Sequence, residues 1–246
     1  MLSNAQSKYI RSLSQQKYRK QYKVFLAEGD KIAKEWLSAT SPVQMIVATE
    51  DWATQQEKLI KKHPEAELCI VTAEELERVT VLQTANKALL VVPVPDPGMA
   101  LPVSGWSIAL ERVQDPGNLG TIIRIADWFG IGDVVCSPDC ADYYNPKVVQ
   151  AAMGGHLRVK LHITELEPFL QNTALPKIAA TLGGKSIYEI ETPESGILLI
   201  GNESKGLSEH IQQHADVKVT IPRKGGAESL NAAVSAGILT AMLCGR

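Results

Sequence analysis

From Trp106 onward the chain alternates apolar runs of strand length with segments of helical spacing. They read "WSIALERV", "LGTIIRIADWFG", "DVVCSP", "NPKVVQAAMGGH", "ELEPFLQNT", "KIAATLGG", "GILLIGNE", "LSEHIQQHA", "VKVTIP" and "SLNAAVSAGILTAMLC". Such alternation implies a mostly parallel sheet with helices on both faces, in which ligands bind beyond the carboxyl ends of the strands. Upstream lies "PVPDPGMALPVSG", Pro93 to Gly105, whose prolines deny the backbone both helix and central-strand geometry; it reads as a linker. Before it, "QMIVAT", "ELCIVT" and "ALLVVP" are buried-strand candidates separated by the helical "DWATQQEKLIKKH" and "AEELERV", and "FLAEGDKIAKEWLSA" has helical spacing. The expected organisation is a small α/β domain over 1–92, a linker over 93–104 and a larger α/β domain over 105–246.

A composition of 45% hydrophobic and 21% charged residues suits a soluble globular protein. No apolar run approaches the roughly 20 residues of a membrane span, and Met1 to Ile10 lacks the layout of a signal peptide. The expectation is a cytoplasmic protein with no membrane partner. A net charge of −2 argues against a protein that coats nucleic acid indiscriminately. Residues 1–27, however, carry Lys8, Arg11, Lys17, Arg19, Lys20 and Lys23 with no acid, interleaved with Tyr9, Tyr18 and Tyr22. Two readings fit: cations that neutralise phosphates beside rings that stack on bases, or a solvated amphipathic helix. Cys136 and Cys140 in "CSPDC" have no second ligand pair at a matching distance, and "HIQQH" lacks the glutamate of a metalloprotease helix, so no metal is expected.

Three loops follow strand-like runs. In "LERVQDPGNLGTIIRIADWFGI", Asn118 stands where a helix begins and can cap it, while Arg124 projects near Gly117, Gly120 and Thr121. That arginine can meet a phosphate or substrate oxygen, or pair with Asp127. "LLIGNESKGLSEHI" has the Gly201 to Gly206 spacing of a phosphate loop, but Leu207 stands where lysine is required, which disfavours a nucleoside triphosphatase. Its glycines could let a flat ligand lie against the backbone, with Glu203 as acceptor or base; equally, the loop is a turn. In "VTIPRKGGAESLNAAVSAG", Ser229 can cap the last helix or serve a site, and the Asn231 amide offers donors and acceptors at the helix mouth.

Taken in order, N-x5-R, G-N-E-x-K-G-L and I-P-x5-E-S-L-N resemble the TrmH (SpoU) branch of the SPOUT RNA 2′-O-ribose methyltransferases. "SLSQQKYRKQYKVFLAEGDKIAKEWL" is similar to the start of the small ribosomal-protein-like RNA-binding domain that many rRNA-directed members carry. The resemblance implies a SPOUT trefoil-knotted parallel-sheet domain, an S-adenosylmethionine pocket and a homodimer whose site draws on both chains. Carried over by position, Thr181, Leu182, Gly183, Gly201, Asn202, Gly206, Ile221 and Leu230 would line the cofactor pocket. Asn118, Arg124, Glu203, Ser229 and Asn231 would surround the target ribose, and the basic N-terminal residues would bind RNA. The family usually has an apolar residue where Arg223 stands.

The implied activity is methylation of a ribose 2′-hydroxyl, most simply in 23S rRNA. A tRNA enzyme of the same branch and a non-catalytic ribosome-assembly factor are the alternatives. Guanidinium keeps its proton at ordinary pH, so Arg124 is expected to clamp the adjacent phosphate and stabilise the developing alkoxide. Glu203 or the phosphate would then accept the proton.

Overall fold

The computed structural model describes residues 1–82, 86–96, 98 and 101–244. The chain divides into two units, Met1–Asp96 with Tyr144–Leu157, and Pro97–Tyr143 with Arg158–Arg246. In the first, α1 (Asn4–Ser12) opens on a reciprocal cap: Ser3 Oγ accepts from Gln6 N–H at 3.2 Å and Gln6 Oε1 from Ser3 N–H at 2.8 Å. There follow α2 (Gln16–Tyr22), β1 (Val24–Glu28), α3 (Asp30–Ser38), β2 (Met45–Thr49), α4 (Glu50–Gln55), α5 (Glu57–Ile60), β3 (Glu67–Val71), α6 (Ala73–Glu77) and β4 (Ala88–Pro93). The sheet order is β1-β4-β2-β3, parallel only between β2 and β3.

Both faces of this sheet are covered. Phe25, Trp36, Ile46, Trp52 and Leu90 form the core on one side, and Ile10, Leu13, Leu26, Val47 and Leu89 the core on the other. Two-sided burial makes β1 apolar without alternation, which is why "FLAE" reads as helix in the sequence but is strand in the structure. Gly29, at φ 105°, turns the chain from β1 into α3.

The N-terminal cations do not act as one set. Lys8, Arg11, Lys17, Lys20 and Lys23 are exposed, but Arg19 is only 3% exposed. Its Nη1 donates to Leu13 O at 2.7 Å and Ser14 O at 2.8 Å, carbonyls at the end of α1 that the helix leaves unpaired. Arg19 is therefore a buried helix cap, not an RNA contact. Arg19→Met should lower the thermal midpoint, with a loss of roughly 2–4 kcal/mol for two charge-assisted bonds, one to a buried and one to a part-buried carbonyl; an unchanged midpoint would remove the capping role. Tyr9 and Tyr18 likewise pack on the core, whereas Tyr22, edge-on to Tyr9 at 5.1 Å, is 44% exposed.

The second unit begins with β5 (Trp106–Leu110), α7 (Pro116–Trp128) and β6 (Asp133–Cys136). The next helix, α8 (Pro146–Ala152), belongs to the first unit: Val149 lies in the Phe25–Trp36 core and the Tyr144 ring is 4.6 Å from that of Phe25. By its unbroken strand-helix spacing this stretch reads as part of the second domain; its apolar face instead completes the other core. The second unit continues with β7 (Lys160–Ile163), α9 (Leu166–Gln171), β8 (Lys177–Ser186), β9 (Gly196–Ile200), α10 (Glu209–Gln212), β10 (Val217–Thr220) and α11 (Ala232–Cys244).

Its sheet runs β10-β8-β9-β5-β6-β7 and every pairing is parallel. The chain builds outward from β5 to β7 and then returns to the other side, so β5 and β9 flank the point where strand order reverses. Crevices at such points take ligands. Of the expected linker, Pro97, Met99 and Ala100 lie outside the described residues, while Leu101 packs on the core of the second unit.

β8 is irregular. Its pairing with β10 passes from Ala179↔Lys218 to Lys185↔Val219, leaving Ala180 to Gly184 out of the ladder. A Cβ on Gly184 would stand 2.5 Å from the backbone of Lys218 and Val219, so the strand can rejoin its neighbour only with glycine there. Among the described residues no helix is long and apolar enough to cross a membrane, and no group of three His, Cys, Asp or Glu could hold a metal. The described cysteines are free. A hydrogen bond from the Cys136 thiol outweighs burial and lowers the Cys140 thiol to about 7.

Candidate active site

The three loops meet at the carboxyl ends of β5 and β9. After β5 the backbone turns through Arg112, at φ 54°, and α7 starts on Asp115, whose Oδ1 accepts from Asn118 N–H at 2.8 Å. Asp115 followed by Pro116 is a start signal present in the sequence. Asn118, expected to be the cap, lies inside the first turn at 9% exposure, with its amide released for other partners.

After β9 the loop folds back on itself. Asn202 N–H donates to Gly206 O at 3.1 Å and Gly206 N–H to Asn202 O at 2.9 Å. The Asn202 side chain braces the fold: Oδ1 accepts from Ser204 and Lys205 N–H, and Nδ2 reaches Arg112 O at 2.8 Å. A Cβ on Gly201 would lie 2.1 Å from the Gly206 carbonyl carbon and from Leu207 N, so the two ends of the loop cross with no room for a side chain.

At the third loop the cap of α11 is Asn231, not Ser229. Asn231 Oδ1 accepts from Ala233 N–H at 2.9 Å and Val234 N–H at 3.2 Å. Its Nδ2 donates to Asn118 Oδ1 at 2.8 Å, and Asn118 Nδ2 donates to Glu203 Oε1 at 3.0 Å. One directed chain of side chains thus ties all three loops together, and each amide in it has a settled orientation. Glu203 also accepts from Asp115 N–H at 3.1 Å, Gln114 N–H at 3.4 Å and Asn202 Nδ2 at 3.3 Å. Burial pushes its pKa up, but the bonds from Asn118, its own backbone, Asp115 and Gln114 outweigh that and hold the carboxyl below its usual range.

Beside this chain opens a cavity of about 750 Å³. Thr181, Leu182 and Gly183, thrown out by the β8 bulge, line it together with Gly201, Asn202, Gly206, Ile221 and Leu230, and Glu203 and Ser229 also reach it. Asn118 and Asn231 are not in its lining, and neither is Arg124, which is exposed on α7. The alternative partner of Arg124 is taken: Asp127 binds Arg158, with Nε at 2.6 Å and Nη2 at 2.8 Å. Arg112, Gln114 and Asp115 join the site without having been singled out from the sequence. Only Asp115 had a local signal, because a left-handed arginine and a donating backbone amide leave none.

Residues 105–241 match the SpoU rRNA Methylase family. The chain belongs to that family. Residues 4–89 match the MRM3-like substrate binding domain, which precedes the SpoU match along the chain. Among similar proteins, the 23S rRNA (guanosine(2553)-2′-O)-methyltransferase RlmP of Bacillus subtilis (strain 168) is 30% identical across 98% of this chain and 97% of its own. An AdoMet-bound rRNA methyltransferase from Sinorhizobium meliloti shares the fold with a TM-score of 0.88 at 27% identity, covering 99% of this chain and 95% of that one. A TrmH-family protein from Porphyromonas gingivalis has a TM-score of 0.86 at 34% identity over 99% and 98% of the two chains.

Proposed function

We propose that this SpoU-family chain methylates a ribose 2′-hydroxyl of rRNA, with 23S rRNA as the substrate and S-adenosylmethionine as the methyl donor. The observation that carries this reading is the Asn231–Asn118–Glu203 chain, which fixes three loops at the wall of a cavity of nucleoside-thioether size. The cavity fits the donor on its own chemistry. Among the described residues Thr181 Oγ1 is buried without a partner, while Leu182 and Leu230, 79% and 47% exposed, offer apolar surface to a flat base. Thr181→Val should therefore weaken S-adenosylmethionine binding about tenfold by calorimetry, the cost of one buried hydrogen bond; unchanged affinity would take Thr181 out of the pocket's recognition.

Bound there, S-adenosylmethionine supplies a methyl group already activated by its sulfonium. The chain's task is to align and deprotonate a poor nucleophile. Glu203, committed to four donor groups and ionised, positions Asn118 and the start of α7 and is a weak base. Arg124 clamps the phosphate next to the target ribose and steadies the developing alkoxide, which eases loss of the proton to Glu203 or to that phosphate. Ser229, exposed at the cavity wall, faces the incoming ribose.

In this reading two copies form the enzyme. The apolar sequence of α11 leaves Val234 49% exposed, Trp128 on α7 is 82% exposed, and a second copy would cover both. Arg124, absent from its own chain's cavity lining, would then serve the partner's cavity. The trefoil threading of the C-terminal segment, the RNA contacts of Lys8, Arg11, Lys17, Lys20 and Lys23, and a cytoplasmic location belong to the same reading. Labelled methyl is expected to pass from S-adenosylmethionine to unmodified 23S rRNA. Label in tRNA alone would change the substrate, and no label in either RNA despite measured RNA binding would favour an assembly factor.

A further inference from the structure

Four cations, Lys205, Lys218, Arg223 and Lys224, line the same cavity, and all are exposed. Among the described residues none of them forms an ion pair. Arg223 donates once from Nη1 to Ala227 O at 3.2 Å, a bond within the loop, which leaves the other donors of its fork available. The carboxylates in the same lining do not balance them: Glu203 is taken up by its own donors, which leaves Glu228 against four cations.

A second hollow of about 270 Å³ shares Gly183 and Lys218 with the first and adds Lys185; its one carboxylate, Asp216, already pairs with Lys177 at 3.2 Å. The cations thus run along two contiguous hollows. A donor that is itself a net cation gains nothing from such a wall, because like charges oppose its entry. A single small anion would not need a track of this kind. A polyanion would.

Resting on the function proposed above, we propose that Lys205, Arg223 and Lys224 grip RNA phosphodiesters beside the target nucleotide, and that Lys218 and Lys185 carry the strand onward past the β8 bulge. The test uses the full-length protein with K205Q/R223Q/K224Q and, separately, K185Q/K218Q. Binding of unmodified 23S rRNA transcript is measured across a potassium chloride series, and S-adenosylmethionine binding by calorimetry. Each set is expected to weaken RNA binding on the order of tenfold. The triple variant should also flatten the log-log salt slope by about 2, at roughly 0.7 for each single-strand phosphate left unneutralised. S-adenosylmethionine affinity is expected to stay within about twofold, since a hydrogen-bonded cofactor site is not being removed.

R223K keeps the charge and is expected to keep the slope, which separates charge from loop shape. An unchanged slope in both sets would overturn the proposal. So would a loss of S-adenosylmethionine affinity as large as the loss of RNA affinity, because the cations would then hold the donor's carboxylate. Failure of the wild-type protein to methylate any RNA would count against the proposed function, independently of the slopes.

Discussion

Arg124→Ala is expected to cut methyl transfer to rRNA by roughly 10²–10³, the range seen when one preorganised stabiliser of developing charge is removed. The thermal midpoint and S-adenosylmethionine affinity should hold, because Arg124 is exposed, makes no side-chain bond among the described residues and does not line the cavity. The more telling result comes from mixing chains. An Arg124→Ala chain keeps an intact cavity, while a chain with a broken cavity keeps its arginine. If the arginine serves the partner's cavity, mixed dimers contain one complete site, and random pairing should restore about a quarter of wild-type turnover. If it serves its own, mixing restores nothing. The assay is transfer of labelled methyl before and after the two inactive proteins are unfolded and refolded together.

Gly201→Ala should be the most damaging small substitution in the second unit. The added methyl would lie 2.1 Å from backbone atoms of Gly206 and Leu207, which cannot swing aside as a side chain could. Forcing the loop open costs about 3 kcal/mol or more by analogy with overpacked cores. It also displaces Asn202 from Arg112 and Glu203 from Asn118, so donor binding and transfer should fall together. Gly132→Ala is the matched control, since its new methyl would meet nothing within 4 Å. A Gly201→Ala protein with normal donor affinity would mean that the crossing at this loop is not needed for the pocket.

Much of this arrangement could be read from the chain itself. Asn118, Glu203, Ser229 and Asn231 all stand out, as polar residues set into glycine-rich or small-residue loops after apolar runs, and the structure gathers them near one cavity. Their individual work is less legible. Asn118 and Ser229 each read as helix caps, yet Asp115 and Asn231 do the capping. The difference is a shift of two or three residues, which pattern alone does not resolve because any short polar side chain at a helix mouth can play that part. Arg19 looks like one more basic residue in an acid-free stretch. Its burial depends on where α1 ends, a matter of three-dimensional closure. β1 is hidden for a related reason, since a strand covered on both faces loses the alternation that would mark it.

The return of Tyr144–Leu157 to the first unit bears on how such proteins can be cut and recombined. The substrate-binding unit is not a bead on a string. Its Phe25 and Trp36 core is closed by Val149 and Tyr144, supplied from beyond α7 and β6. A shuffling event that exchanged only the stretch before Pro97 would bring in a core left open where Val149 and Tyr144 cover it and would have to find, in the recipient, a helix already shaped to close it. Inheritance of this front unit is thereby bound to a passage in the middle of the catalytic half, and the two would be expected to change together.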